Sequence, residues 1–391
     1  MQVERITTWP ELVAIEADWN ALAGSTPFRT WDWLATWWKH YGDGRRDGRP
    51  RRELLHDREL YVLAVYDGTV ANADRNARQL VGIAPWYIDR SALQGSVVRW
   101  LGDGEVCTDH GSLICRPHDD ERVAAAIAEA LADRFNDWDR LELGAVDAED
   151  ATVDHLLTAL ECRNCRASKE TAGSCWVLDL PASWDDYLAG ISKSHRKQLR
   201  RLERRVLESR RVVWHRVQNI TELNAAWGVL VELHQRRRQS LGQPGCFAAR
   251  AFHDFHREVA ERLLGRGQLR MSWLELDGTP AAAEYHLADG ATTYAYQGGV
   301  DPDRLDAEPG RLSMIPCLRQ AIEERHQRLD FLRGDEPYKA HWRATPRAMW
   351  NYRVVPDRHV ARLRDRVWSV ADTLGDWARQ GAQLVNSSGN K

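Results

Sequence analysis

Lysine and long apolar runs are both scarce in this sequence. Six lysines stand among 54 basic residues, and an excess of arginine and alanine is typical of bacteria with GC-rich genomes. No stretch reaches the ~18 apolar residues that a membrane-spanning helix needs. The opening MQVERITTWPEL also lacks the basic start and apolar core of a signal peptide. These absences predict a cytoplasmic bacterial protein without a membrane span.

Cysteine is present, but it follows no recognisable pattern. An odd number of cysteines, seven, is scattered over a long chain, which argues against a disulfide framework. Cys162 and Cys165 have CxxC spacing, and Cys175 could add a third ligand. A zinc site would need further ligands at matching spacing, and no second CxxC or HxxxH follows. We therefore expect no metal site.

Net charge is small, at −3, so no overall field marks the chain as a DNA-binding protein. Tryptophan is abundant instead, with 18 residues against 6 phenylalanines. Such large amphipathic side chains are expected in cores, grooves and domain seams. The length of 391 residues is comfortable for two domains, each with its own core.

The order of predicted elements is similar in the two halves. In the first half, residues 60–66 and 80–88 form a hairpin, and helix 119–134, strand 141–146 and helix 150–161 follow. The second half begins with strand 175–180, and helices 182–210, 221–239 and 248–264 follow. A meander of three strands comes next (269–276, 281–287 and 292–297), and helix 311–326 and strand 329–332 complete the order. This repeated order predicts a duplicated α/β unit. We expect domains over residues 1–175 and 176–391, each with a mixed, mostly antiparallel sheet.

Two segments of the second half carry the strongest chemical signals. Glu308-Pro309-Gly310-Arg311-Leu312 leads from the meander into a helix, and the unpaired N–H groups of such a helix start bind phosphate. Glycine lets phosphate approach the backbone, and Arg311 can add a bidentate contact. The second segment, residues 330–339, ends an apolar strand in a dense polar cluster. Both patterns also fit ordinary turns.

A third segment, residues 192–201 (SKSHRKQLRR), is a basic helix start. Basic side chains at the beginning of a helix can hold a phosphate, an acidic substrate or RNA. A solvated basic face is the plain alternative.

These segments, in this order, resemble a known family. Its features are found in PFRTWDWLATWWKHYG (27–42), LVGIAPWYI (80–88), LGDGEVCTDHGSLI (101–114), SKSHRKQLRRLERRV (192–206), LVELHQRRRQSLG (230–242), EPGRL (308–312) and DFLRGDEPYKAHW (330–342). The set is similar to the CelD-like acyltransferases. These form a branch of the GNAT (N-acetyltransferase) superfamily that is linked to cellulose and exopolysaccharide biosynthesis and related to the Fem aminoacyltransferases.

The resemblance implies an α/β (α+β mixed sheet) fold in two tandem GNAT-like units. We expect the first unit to be degenerate, because its turn Gly102-Asp103-Gly104 is not followed at once by a helix. It also implies transfer of an acyl group, usually acetyl, from acyl-CoA to an amine of a small molecule or a cell-envelope or polysaccharide precursor. The pyrophosphate would lie on Gly310, Arg311 and Leu312, beside Gln297 of the splayed strand 294–299. The usual Q/RxxGxG/A loop is absent in clear form.

Transfer to an amine needs a base and a proton donor for the leaving thiolate. Glu284 and His286 lie on one face of a strand and are the predicted bases. Tyr338 and Tyr296 are the predicted proton donors. Side chains that would orient the acceptor are Arg333, Asp335, Lys339 and Tyr294.

Two alternatives remain open at this point. A Fem-like enzyme would take its acyl group from aminoacyl-tRNA and would need a basic surface, for which helix 193–211 is a candidate. A component of polysaccharide synthesis that has lost catalysis would keep the fold alone.

Overall fold

The computed structural model describes residues 1–24, 26–42, 57–68, 78–92, 94–207, 209 and 211–367. Fifteen strands are present in this part of the chain: β1 Gln2–Ile6, β2 Asp57–Leu60, β3 Val62–Asp67, β4 Gln79–Ala84, β5 Trp86–Ser91, β6 Gly95–Trp100, β7 Ile114–Cys115, β8 Arg140–Asp147, β9 Cys165–Asp179, β10 Val212–Arg216, β11 Leu269–Leu276, β12 Thr279–Ala288, β13 Thr292–Val300, β14 Arg328–Arg333 and β15 Thr345–Pro356.

The helices cover both faces of the sheets. They are α1 Trp9–Ala14, α2 Glu16–Ala23, α3 Trp31–Trp37, α4 Asp120–Ala132, α5 Ala151–Glu161, α6 Trp184–Gly190, α7 Lys193–Leu202, α8 Ile220–Ser240, α9 Arg250–Gly265, α10 Pro309–Glu323 and α11 Pro337–His341. Short 3₁₀ or π segments include Trp38–Gly42, Glu203–Leu207, Cys246–Ala248 and Pro302–Ala307. The sequence of residues 357–384 predicts a last long helix, and a helix occupies 359–367; residues 368–384 lie outside the described residues.

The same arrangement of strand, helix and parallel strand occurs twice. β6 pairs in parallel with β8, and α4 connects them; β13 pairs in parallel with β14, and α10 connects them. In each case the first strand of the pair is also antiparallel to the strand before it, β5 or β12. The prediction of two tandem α/β units is therefore confirmed.

The expectation of a separate sheet in each unit is wrong. Eleven strands form one sheet in the order β10-β11-β12-β13-β14-β9-β15-β8-β6-β5-β2. The two units join because β9 pairs with β14 while β15, from the end of the second half, pairs with both β9 and β8. Residues 175 and 176 lie inside β9, and the boundary placed between them stays a prediction.

The hairpin predicted over residues 60–88 is present, but it bends between two sheets. Its outer part, β3 and β4, belongs to a four-stranded sheet of order β1-β3-β4-β7, and its inner part, β2 and β5, belongs to the large sheet. The bend falls at Tyr61 and Pro85. Proline has no N–H to donate to a strand ladder, which explains the break in β4-β5.

The helix predicted over 182–210 is likewise divided. Ile191 is extended (φ −92°, ψ 162°), and Ser192 begins α7 by accepting a hydrogen bond from the backbone N–H of His195. A serine at this position satisfies one of the free donors of a helix start, so the sequence itself ends α6 and begins α7 here.

The two units share a buried core. Phe28 and Trp33 of the first half pack edge-on against Tyr294 and Phe255 of the second half, with ring centroids 5.2 Å apart in both pairs. All four residues belong to one continuous apolar cluster that spans both halves. Tryptophan side chains such as Trp33 thus pack in the contact between the two halves, as the abundance of tryptophan predicts.

Candidate active site

The parallel strands of the second unit pair only at their beginnings. Thr292–Tyr294 pair with Arg328–Asp330, and β13 then continues along β12 to Val300. β14 pairs with β9 on its other side as far as Arg333, which is opposite Cys175. The register shifts between Asp330 and Arg333, where Leu332 adopts a positive φ of 57°. A gap therefore opens between the second half of β13 and the end of β14.

Glu284 of β12 is the buried carboxylate beside this gap. Its Oε1 accepts a hydrogen bond of 2.5 Å from the Ser313 hydroxyl of α10, and its Oε2 lies 3.3 Å from Nε2 of His286. Gly298 of β13 is opposite Glu284, and a Cβ at this glycine would come within 3.1 Å of Oε2. Because Gly298 has no side chain, nothing from this residue stands over the Glu284 carboxylate.

A basic cleft lies on the same side of the sheet, where the beginning of α7, the beginning of α10 and α11 meet. Its volume is about 410 Å³. It is lined by Ile191, Ser192, Ser194, His195, Gln198, Arg311, Ala340, His341 and Arg343, and no acidic side chain of the described residues is among them. Burial, followed by the nearby Arg311 and His341, lowers the pKa of His195, as expected in a cationic environment.

Gly310 and Leu312 flank Arg311 but are not among the residues that line this cleft. Gly310 is in the first turn of α10, and a Cβ there would meet only Val300, at 3.5 Å. The Leu312 side chain is fully buried, so only its backbone could contact a ligand. Arg311 pairs with Glu308 at 2.5 Å while its side chain lines the cleft.

Tyr338 of α11 is the most accessible of the predicted proton donors. Its side chain is nearly half exposed, at 48%, and within the described part of the chain no hydrogen bond to its hydroxyl is formed. Although the side chain as a whole is half exposed, partial desolvation of its hydroxyl raises its pKa, and the negative charges of Glu336 and Glu284 raise it further.

The Lys339 ammonium is occupied within the protein. Nζ donates to the carbonyls of Leu332 (3.1 Å), Arg333 (2.8 Å) and Gly334 (2.9 Å), and it pairs with Glu336 at 2.9 Å. An ammonium has three protons, so all of them are used. This arrangement favours a role in holding the bent end of β14 over direct contact with an acceptor.

Arg333 and Asp335 contact other parts of the chain. The Arg333 backbone N–H donates to Oδ2 of Asp109 (3.1 Å), its guanidinium pairs with Oδ1 of the same carboxylate, and Nη2 donates to the Thr108 carbonyl (3.0 Å). Asp335 is exposed and accepts a 2.9 Å hydrogen bond from the indole N–H of Trp176. Arg333 thus ties the end of β14 to the first half.

Tyr294, Tyr296 and Gln297 lie on the opposite face from Glu284. The Tyr296 ring contacts Tyr285, which points away from Glu284 because adjacent strand residues alternate between faces. A β-bulge at Tyr296 interrupts the alternation in β13, so that Gln297, which is opposite Tyr285, lies on the same face as Tyr296. The Tyr296 hydroxyl donates to the Val106 carbonyl at 2.5 Å, and the Tyr294 hydroxyl donates to Asp289 at 2.7 Å; burial raises the pKa of both.

The Gln297 amide on this face donates to the Cys246 thiol at 3.5 Å. The structure therefore brings Glu284, His286 and the helix start at 310–312 together on one face, with Tyr338 near them. It does not bring Tyr294 or Tyr296 to Glu284.

The first unit has a larger cavity, of about 590 Å³, at the equivalent place. β6 and β8 pair over Val97–Arg99 and Arg140–Glu142 and then diverge. Trp100, Leu101 and residues 143–145 line the cavity beyond that point, and Arg333 of the second unit reaches it as well.

Two kinds of residue in the site escaped sequence reasoning. Ser313 was missed although it follows Gly310 by three positions, because a serine inside an apolar helix gives no signal of what it faces. Arg343 and His341 were missed because only the tertiary fold brings α11 to α7. The basic segment 192–201, which the sequence singles out as a possible phosphate site, contributes four residues to the lining of the cleft.

Comparison with protein families supports this description. Residues 193–340 match the acetyltransferase (GNAT) domain family, a range that contains Glu284, Gly310 and Tyr338. Over this range the second half of the chain is similar to GNAT acetyltransferase domains.

Two solved structures are similar over nearly the whole chain. FemX has 10% sequence identity and a TM-score of 0.58, with 90% of this chain and 97% of FemX covered. A conserved protein of unknown function from Bacteroides thetaiotaomicron has 10% identity and a TM-score of 0.50, with 91% and 99% covered. At this identity the likeness concerns the fold alone. No curated protein matches the chain by sequence.

Membrane insertion through a helix finds no support in the fold. Over the described residues, no helix combines the length and apolar character that crossing a bilayer requires.

Proposed function

We propose that the second unit transfers an acyl group, most simply acetyl, from acyl-CoA to a primary amine. The observation that carries this proposal is the position of Glu284, a buried carboxylate beside the gap between β13 and β14 and on the same side as the basic cleft. The GNAT family match over residues 193–340 supports it.

In the proposed reaction the thioester lies in the gap. Glu284 accepts a proton from the amine, directly or through water, with Ser313 and His286 holding its carboxylate in place. The amine nitrogen attacks the thioester carbonyl, the C–N bond forms and the C–S bond breaks. Tyr338 gives its proton to the leaving thiolate and recovers one from solvent. Proton transfer of this kind contributes roughly 10²–10⁴-fold to rate.

The donor phosphates would lie in the basic cleft, over the backbone of residues 310–312 and beside Arg311, His195 and Arg343. A helix start and cationic side chains together favour phosphate. Gly310 supports the proposal because it has no side chain to keep a ligand from the backbone, and a Cβ there would contact only Val300, at 3.5 Å.

The two units differ in the charge at this helix start, which is why we assign catalysis to the second. The corresponding helix of the first unit, α4, begins with Asp119-Asp120-Glu121. Three consecutive carboxylates repel phosphate, whereas α10 begins with Pro-Gly-Arg. We propose that the first unit binds no acyl-CoA and that its cavity accommodates part of the acceptor. Arg333, which lines that cavity, would then contact the acceptor from the second unit.

An aminoacyl-tRNA donor is the second candidate, and one observation favours it. Beside the cleft, α7 carries five basic side chains, of which all but Arg196 are exposed: Lys193, Arg196, Lys197, Arg200 and Arg201. Such a basic surface could extend a phosphate site to a polynucleotide. The proposal has three further parts. The chain would belong to the CelD-like family, its acceptor would be an envelope or polysaccharide precursor, and it would work in the cytoplasm, where acyl-CoA is available.

The test is an assay of thiol release from acetyl-CoA in the presence of amino sugars, amino acids and polyamines, with the acylated product identified by mass spectrometry. The purified protein should acylate at least one class of amine, and Glu284→Gln should reduce turnover at least about 100-fold. Glu261→Gln, an exposed carboxylate on α9, is the control and should be unchanged. Transfer only from aminoacyl-tRNA, or full activity of Glu284→Gln, would overturn the proposal.

A further inference from the structure

Four polar side chains from both units meet at the seam, apart from the proposed active site. His110 lies in the segment between β6 and β7, Asp147 is the last residue of β8, Cys175 is in β9 and Asp330 is in β14. Cys175 is 1% exposed and Asp330 4%, and the His110 side chain is 14% exposed. Neither unit could form this cluster alone.

Three of these side chains have the spacing of metal ligands. One ligand atom each from His110, Cys175 and Asp330 lies within 4.8 Å of the other two, and Nε2 of His110 is 3.1 Å from Oδ2 of Asp330. Zinc binds nitrogen, sulfur and oxygen at roughly 2.0–2.3 Å, which places neighbouring ligand atoms of a tetrahedral site about 3.3–3.8 Å apart. The widest separation, at most 4.8 Å, is therefore no more than about 1.5 Å above the spacing that zinc needs.

The surroundings also hold the ligands as metal sites do. Nδ1 of His110 lies 2.9 Å from both carboxylate oxygens of Asp147, so that Nε2 points towards Asp330 and Cys175. The second oxygen of Asp330 accepts a 2.7 Å hydrogen bond from the Leu332 backbone N–H. A histidine held by a carboxylate, and a ligating carboxylate that is itself hydrogen-bonded, are regular features around bound metals.

We propose that this cluster binds one Zn²⁺ ion through His110, Cys175 and Asp330, with water as the fourth ligand and Asp147 orienting His110. Binding deprotonates the Cys175 thiol, which donates to the Met349 thioether at 3.0 Å without metal, and displaces the proton between His110 and Asp330; both protons go to solvent. The ion would lock the two units together at the point where β13 and β14 diverge, because Asp330 is the last paired residue of β14 there.

The competing arrangement contains no metal. A protonated His110 between Asp147 and Asp330 would also satisfy all three groups, and Cys175 would then be a buried thiol beside Met349. The two arrangements differ in the role of sulfur. Zinc requires a thiolate at Cys175, whereas the proton-bridged cluster does not involve sulfur at all.

The experiment measures bound metal in the full-length protein, independently of any activity. The protein is purified without a histidine tag, and its metal content is determined by plasma mass spectrometry. The chelated protein is then titrated with Zn²⁺ and, separately, with Co²⁺, whose thiolate charge-transfer absorption reports a sulfur ligand. We expect about one Zn²⁺ per chain and a thiolate–Co²⁺ band.

Three variants locate the site. Cys175→Ser should abolish the Co²⁺ band, and Asp147→Asn should weaken zinc binding roughly 10–100-fold while keeping the band. Cys165→Ser, a buried cysteine in the same strand, is the matched control and should bind as the wild type does. If Cys175→Ser does not fold, the wild-type Co²⁺ spectrum decides alone.

A folded wild-type protein that binds no Zn²⁺ and gives no thiolate band would overturn the proposal. Bound copper in place of zinc would overturn the assignment of the ion. An ion retained by Cys175→Ser would overturn the assignment of its ligands. The proposed acyl transfer could fail without affecting any of these results, because none of them depends on a substrate.

Discussion

Ser313 of α10 donates its hydroxyl proton to Glu284 of β12 at 2.5 Å, and both side chains are buried. This bond joins the helix that would hold the donor phosphates to the strand that would supply the base. Movement of α10 on donor binding would therefore be transmitted directly to the carboxylate.

We expect Ser313→Ala to reduce kcat about tenfold, or about 1.4 kcal/mol in transition-state terms, with little change in the dissociation constant of acyl-CoA. The reason is that Ser313 positions Glu284 and does not contact the donor. Ser313→Thr keeps the hydroxyl and should recover most of the lost turnover. A loss of donor affinity with unchanged kcat, or no recovery by threonine, would argue against a positioning role.

Tyr338 and Lys339 are neighbours in α11, and their environments predict opposite effects of mutation. Tyr338→Phe removes an accessible hydroxyl, so turnover should fall tenfold or more while the melting temperature stays unchanged. Lys339→Met keeps the apolar stem but leaves three carbonyls without their donor, so the free energy of unfolding should fall by about 2 kcal/mol or more.

For these two variants, chemical denaturation gives stability and the thiol-release assay gives turnover per folded molecule. If Lys339→Met kept normal stability but lost turnover, Lys339 would contact the acceptor, as the sequence alone predicted. An active Tyr338→Phe would remove Tyr338 as the proton donor.

Glu258 of α9 lies at the contact between the two halves, and its ionisation should make the free energy of unfolding depend on pH. Despite burial, hydrogen bonds from Lys39 and His40 of the first half and from Arg262 lower its pKa to about 2. A lowered pKa in the folded state means that the carboxylate stabilises the fold above about pH 4.5, and that this contribution is lost as the pH falls towards 2.

Glu258→Gln should therefore cost roughly 1–3 kcal/mol of unfolding free energy near pH 7, and the difference from wild type should shrink below about pH 5. Urea denaturation from pH 7 down to the lowest pH at which the protein is folded measures this. Glu261→Gln on the same helix, where the carboxylate is exposed, should change little. A difference that stays constant or grows with acid would show that the contribution is not electrostatic.

Local patterns in the sequence predicted most of the elements, because periodicity and turn residues act over short distances. The helix at 119–134, the meander and the Pro309-Gly310 helix start are examples, and the structure contains each of them. The single continuous sheet was not predictable in this way, because β15 pairs with β8 across about half of the chain. No local sequence pattern shows with which strands a strand near the end of the chain will pair.

The same limit applies to the site. Glu284 and His286 could be paired from their spacing, because alternation in a strand is local. Tyr296 was grouped with them because it is near in sequence order, but the strand turns its side chain to the other face, where the first half covers it. The bonds from Lys339 to the bent end of β14 depend on the positive φ of Leu332, which a leucine in an apolar strand does not suggest.

Binding of acetyl-CoA tests the central claim most directly, because it requires no acceptor. By isothermal titration calorimetry, the wild type should bind one acetyl-CoA. Gly310→Val and Arg311→Ala should weaken binding at least about tenfold, because the first fills the space that phosphate needs and the second removes a phosphate ligand. Gly228→Val, at an exposed glycine of α8 where a Cβ would meet nothing within 4 Å, controls for valine in a helix and should bind normally. No binding by the wild type, or undiminished binding by Gly310→Val and Arg311→Ala, would contradict a donor site at the beginning of α10.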